Sequence, residues 1–144
     1  MLYFFIVLLM TDCIFCSIAE GKSSAFKLRE NEEFLAFFDI FPNTKGQTLV
    51  VPKKHYDSDL FLIDEKGFYE QYFQAAREVV QLLKKGLNVS RVAMVMEGLA
   101  VAHLHLKLYP LYEGVPMSVE GGAQADFEVL GALQTQVVNG AALK

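Results

Sequence analysis

Three side chains capable of chemistry stand at alternate positions of one short apolar segment, Ala102-His103-Leu104-His105-Leu106-Lys107-Leu108. In a strand, alternate side chains share a face. His103, His105 and Lys107 therefore line one side, and Leu104, Leu106 and Leu108 enter the core on the other. Neighbours along the polar row stand roughly 7 Å apart, a spacing that a phosphate and its leaving group can span. A neutral imidazole is a competent nucleophile toward phosphorus near pH 7, and an ammonium close by offsets phosphate charge. The chain holds only 3 His, and two of them fall in this segment. A strand face that is merely wet gives no reason for that concentration.

Two further groups have chemical potential. Cys13 and Cys16 are the only cysteines and form one CxxC, a spacing that suits a redox pair or two thiolates on a metal. A closed tetrahedral site would need two more ligands. Asp39 ends the apolar run Phe37-Phe38. Its short carboxylate can serve a ligand with two acceptor oxygens or serve the turn that begins near Pro42.

The elements that must position these groups follow from patterning. Strands are expected at about 26–30, 34–38, 47–51, 91–96 and 102–108, with turns at Asn31-Glu32 and Pro42-Asn43-Thr44-Lys45-Gly46. Phe68, Tyr72, Ala75, Ala76, Val79 and Leu83 recur at helical spacing, predicting one long helix over about 65–85, with Asp64 as N-cap and Gly86 as the stop. Phe15, Ile18 and Ala19 predict a short helix ended by Gly21. The class is α+β, an antiparallel sheet of about five strands with one long helix and a short one. The tail from Gly114 onward, rich in Gly and Ala, is expected to be poorly structured.

At 144 residues the chain fits one domain, here 11–144. Its 53% apolar and 21% charged residues exclude disorder, and a net charge of −4 excludes a broad nucleic-acid surface. Residues 1–10 form an apolar extension; Leu2–Met10 is far short of the ~20 residues a spanning helix needs. No Lys or Arg precedes that run, and Thr11-Asp12-Cys13 is no small-x-small cleavage site. Translation starting at Met10 and a cytoplasmic protein are the simplest reading.

Residues 103–108 match the signature His-φ-His-φ-His-φ-φ (φ apolar), save that Lys107 stands at the third His. Together with Cys13-Ile14-Phe15-Cys16, with 35–40 (Leu-Ala-Phe-Phe-Asp-Ile) and with 45–55 (Lys-Gly-Gln-Thr-Leu-Val-Val-Pro-Lys-Lys-His), the set resembles the histidine triad (HIT) family from Cys13 to about Tyr112. The resemblance implies a homodimer in which each subunit holds a nucleotide, with His105 as nucleophile oriented by the backbone carbonyl of His103. It implies that Asp39 accepts the ribose hydroxyls and that Phe15, Ile18, Phe38 and Ile40 form an apolar slot for a purine base. By likeness to zinc-bearing bacterial members, Cys13, Cys16, His55 and His103 would hold a structural zinc; no organic cofactor is implied. Lys107 then serves as an electrostatic clamp on the phosphate, with backbone amides of loop 98–102.

The activity so implied is hydrolysis at the α-phosphate of a nucleoside 5′-phosphate derivative, a phosphoramidate or a dinucleoside polyphosphate, through a nucleotidyl-histidine. Nucleotidyl transfer, or nucleotide binding with little turnover, is the alternative. Three departures bear on it. Besides Lys107, the family's usual Gly-Gln-Ser/Thr is Gly98-Leu99-Ala100 here, and Met94 and Met96 lie on the strand where many members carry Asn.

Overall fold

The sheet is built around two strands buried on both faces. In the computed structural model, which describes residues 12–142, β2 (Phe34–Phe38) and β3 (Thr48–Pro52) are buried at every position. β1 (Lys27–Glu30) pairs with β2, β5 (Leu106–Leu111) with β3, and β4 (Arg91–Val95) with β5. All four pairings are antiparallel, in the order β1-β2-β3-β5-β4. Double-sided burial explains why 34–38 reads as an unbroken apolar run rather than an alternation.

Two layers cover the sheet. On one face, Phe34, Ala36, Phe38, Val50, Leu104, Leu106 and Leu108 meet the helix α2 (Phe68–Leu87) through Phe68, Tyr72, Ala75, Ala76, Val79 and Leu83. This is the predicted stripe in full. On the other face, Phe15 and Ile18 of the short helix α1 (Ile14–Ala19) pack on Leu35, Phe37, Leu49 and Val51. The α+β expectation holds, but with three α-helices among the described residues, two of them long.

The second long helix corrects the expected unstructured tail. Residues Phe127–Ala142 form α3, packed on α2 and on β1. Asp126 caps it, its Oδ1 accepting from the Glu128 amide at 2.8 Å. Leu130, Leu133 and Val137 enter the main core at helical spacing. Their neighbours mix Gly131, Ala132 and Val138 with Gln134, Thr135 and Gln136, so no clean polar face marks the helix.

The ends of α2 also differ from expectation. Asp64 does not cap it; Gly67, at φ 82°, precedes its first turn. Gly86 lies inside the helix, where a Cβ would stand 2.6 Å from the Val137 Cα of α3. The glycine is there for close helix approach, and Asn88 at φ 54° ends the helix instead.

β5 begins at Leu106 rather than near Ala102 and continues through Pro110, beyond the end of its pairing with β3 at Leu108. Residues 103–105 stand outside the ladder because a side chain takes the ladder's place. His103 Nε2 donates to the carbonyl of Pro52 at 2.8 Å. The alternation survives all the same, with Leu104, Leu106 and Leu108 each essentially fully buried.

The apolar run Leu2–Met10 lies outside the described residues. Among the described residues, no helix is long and apolar enough to cross a membrane.

Candidate functional site

The site grows from the start of α1. Cys13 occupies the N-cap, its Sγ accepting from the Cys16 amide at 3.4 Å, so the CxxC closes one helical turn with both sulfurs on one side. That turn packs against His103, whose Nδ1 lies 3.3 Å from Cys13 Sγ, 3.5 Å from Cys16 Sγ and 3.1 Å from His55 Nδ1. Cys16 Sγ is in turn 3.2 Å from His55 Nδ1. The four donor atoms all fall within 4.8 Å of one another. Ligand atoms around a tetrahedral zinc stand about 3.2–3.8 Å apart, so the tetrad has the dimensions of such a site.

The donor chemistry agrees with the dimensions. His103 places its proton on Nε2, toward Pro52, which leaves the Nδ1 lone pair facing the two sulfurs and His55. Burial pushes His103 down to about 4; the Pro52 hydrogen bond opposes this, and His55 and His105 add to it, so the ring is neutral at pH 7. Burial also pushes the Cys16 thiol up to about 11, helped by the hydrogen bond and charge of Cys13 and by Glu20. Lone pairs and thiols converging in a half-buried space are the donor set of a soft or borderline cation.

His105 sits two residues past His103 and is buried. Its Nδ1 donates to the His103 carbonyl at 2.7 Å. The proton is thereby held on Nδ1, and Nε2 carries the free lone pair. Phe15 stands edge-on to both rings, with centroids 5.7 Å from His103 and 5.3 Å from His105.

Lys107 continues the row but is not free. Its Nζ donates to Glu97 Oε1 at 2.7 Å, the Lys107 side chain being mostly buried and that of Glu97 partly exposed. The expected clamp is therefore half of an ion pair. Glu97 was not among the residues expected from sequence. Burial works to raise its carboxyl, but the hydrogen bond and charge of Lys107, its own backbone amide and His105 together hold it below the ordinary range.

Asp39 lies just past β2. Its Oδ1 accepts from the Phe41 amide and its Oδ2 from Gln47 Nε2, each at 2.8 Å. These bonds fix the carboxylate at the sheet's edge while leaving each oxygen a second lone pair.

Strand alternation divides the residues expected to form the base slot between the two layers. Phe15 and Ile18 lie in the layer beside the histidines, but Phe38 and Ile40 pack with the α2 side of the sheet. The reason is strand alternation: Leu35 and Phe37 face α1, whereas Phe34, Ala36 and Phe38 face α2. Phe37, 5.7 Å from Phe15 between ring centroids, shares the α1 layer with it.

Tyr109 follows Lys107 at the next alternate position of β5. It is fully buried, and among the described residues its hydroxyl has no hydrogen-bond partner. Burial, then the charges of Glu97 and Asp39, push it up to about 12. In the preceding loop Leu99 is 87% exposed, so the side chain in the family's usual Gln position points to solvent.

Comparison with known proteins identifies the family. The family model described as HIT domain matches residues 20–114. An uncharacterised HIT-like protein of Methanocaldococcus jannaschii is 39% identical over 106 residues, covering 71% of this chain and 81% of its own. Among solved structures, a Zn-bound histidine triad family protein from Mycobacterium smegmatis superposes with TM-score 0.69 at 27% identity, covering 94% of this chain and 99% of that one. A hypothetical histidine triad nucleotide-binding protein from Sulfolobus tokodaii gives TM-score 0.70 at 25% identity, covering 90% and 92%. A five-stranded antiparallel sheet that carries the variant triad His103, His105 and Lys107 therefore belongs to the HIT family.

Proposed function

We propose that the protein binds a purine nucleotide and hydrolyses a nucleoside 5′-phosphate derivative at its α-phosphate, with His105 as nucleophile. The observation that carries this reading is the 2.7 Å bond from His105 Nδ1 to the His103 carbonyl, which leaves Nε2 as the attacking atom. Nε2 attacks phosphorus, the bond from phosphorus to the leaving group breaks, and the leaving group departs with its electron pair and takes up a proton. Water then attacks phosphorus, the P–N bond to His105 breaks, and nucleoside 5′-monophosphate is released. Asp39 accepts the ribose hydroxyls, and Phe15, Ile18 and Phe37 receive the base.

Cys13, Cys16, His55 and His103 hold a structural zinc in this reading, in keeping with the Zn-bound relative from Mycobacterium smegmatis. When bound, zinc supplies a cross-link between α1 and the histidine strand rather than any reaction step. It engages the His103 ring and leaves the His103 carbonyl to orient His105. A homodimer accords with β4, one of the two edge strands of the sheet, where Met94 is half exposed.

A binding protein with little turnover is the second reading, favoured by the outward-facing Leu99 and by Lys107 being already paired. The deciding experiment is rapid quenching with a panel of adenosine and guanosine phosphoramidates and dinucleoside polyphosphates, followed by intact-mass spectrometry. A nucleotidyl adduct on His105 supports the hydrolase. Tight nucleotide binding without adduct or turnover across the panel supports the second reading.

A further inference from the structure

We infer that the Glu97–Lys107 pair sets leaving-group selectivity at His105, disfavouring anionic leaving groups such as polyphosphate and favouring neutral or cationic ones such as a protonated amine. The inference rests on the nucleotide reading above and deepens it.

Topology separates the two ends of the substrate. Phe37 belongs to β2 and Asp39 lies just past its end, and β2 lies on the β3 side of β5. Glu97 follows β4, on the opposite side of β5. Val95 pairs across the sheet with Lys107, and Glu97 lies two residues beyond it, reaching Lys107 at 2.7 Å. A nucleoside seated toward Asp39 and Phe37 therefore sends the group beyond its α-phosphate toward Glu97 and Lys107.

A lone ammonium there would draw a polyphosphate in. The paired ammonium presents little net charge, and the Glu97 carboxylate stands on the path of the departing group. The pair is 14% and 28% exposed, so water screens it incompletely. At separations of roughly 7 Å in a partly buried setting, one such charge changes relative affinity for an anion by about tenfold or more. Glu97 thus acts as a selectivity residue, and Lys107 keeps enough charge to meet a phosphate oxygen while the carboxylate limits it.

The test is calorimetric binding of AMP and ADP, whose β-phosphate probes the leaving-group side, to the full chain and three variants. Glu97→Gln is expected to shift the ADP-to-AMP affinity ratio at least tenfold toward ADP. Lys107→Met is expected to shift it the other way, and Glu97→Asp, which keeps the charge, to hold it near wild type. An unchanged ratio in Glu97→Gln with AMP binding retained overturns the selectivity role and leaves the nucleotide reading standing. Failure of the wild type to bind AMP overturns both. Thermal melting of each variant shows whether a change in ratio belongs to a folded protein. The ratio of kcat/KM for an adenosine phosphoramidate against a diadenosine polyphosphate gives a second readout, expected to fall in Glu97→Gln.

Discussion

His105 donates its Nδ1 proton to the backbone carbonyl of His103, while His103 donates its Nε2 proton to the carbonyl of Pro52. Each ring is held in one tautomer, and the two tautomers are opposite: Nε2 is free on His105 and Nδ1 on His103. One histidine is thereby set for phosphorus and the other for a metal, although both come from the same short segment.

Replacing the attacking ring tests the first assignment. His105→Ala is expected to lower turnover of a good phosphoramidate by several orders of magnitude, because the other members of the row are engaged, His103 with the cysteines and Lys107 with Glu97. Nucleotide affinity should change little, since Asp39 and the apolar layer are untouched. Steady-state kinetics beside equilibrium binding of AMP checks both halves; a variant that retained wild-type rate would remove His105 from the mechanism.

Metal removal tests the second. About one zinc per chain is expected in protein purified without added metal, and Cys13→Ser should lose it and lower the melting temperature. In chelator, stability should depend on acid in a defined window. The folded pKa of His103 is depressed to about 4, against an ordinary value of 6.5. The unfolded chain then binds the proton more readily, so the contribution is complete above about pH 6.5 and is lost as pH falls through about 4. Melting curves from pH 7.5 to 4 in chelator should show that decline, and His103→Gln should flatten it. A metal-free preparation with an unchanged melting curve in chelator would dismiss the site.

Phe37 and Phe38 should separate by readout. Phe37→Ala is expected to weaken nucleotide binding, because Phe37 faces the α1 layer beside Phe15. Phe38→Ala opens a cavity in the main core and should cost about 3–5 kcal/mol of stability. Denaturant titration and AMP affinity measured on both variants decide this, and equal loss of affinity in the two would mean that the layer assignment does not govern binding.

The contrast between these two residues shows what was legible in the sequence. The row at His103, His105 and Lys107 was readable because the leucines between them supply polar–apolar contrast. Phe34 to Phe38 offers none, being buried on both faces, so the sequence does not say which layer Phe37 and Phe38 each face. Glu97 was not readable because its partner stands across a strand pair whose register no local pattern records. The tetrad was readable only through family likeness, since the CxxC and His103 are 90 residues apart along the chain between Cys13 and His103. The helix α3 escaped because its contact with α2 is made at glycine, where sequence patterning is weakest.

That contact carries the last prediction. Gly86 lies within α2, and a Cβ added there would stand 2.6 Å from Val137 Cα and 3.2 Å from its Cβ. Backbone, not a flexible side-chain end, is the obstacle, so the two helices must move apart to admit even a methyl group. Alanine is ordinarily the better helix former by about 1 kcal/mol, so local propensity alone would have Gly86→Ala stabilise the protein. Packing runs against it: overfilling a close contact costs about 1–3 kcal/mol, and here the strain falls on α3, which also holds Gln136 Nε2 to the Gly86 carbonyl at 2.9 Å. Gly86→Ala is therefore expected to be destabilising on balance, and Gly86→Val more so. Val137→Ala should relieve only the part of the clash due to the valine side chain, leaving the backbone part in the double variant. Guanidinium denaturation of the single and double variants measures each term. A Gly86→Ala protein more stable than wild type would show that α3 does not press on α2 at this point.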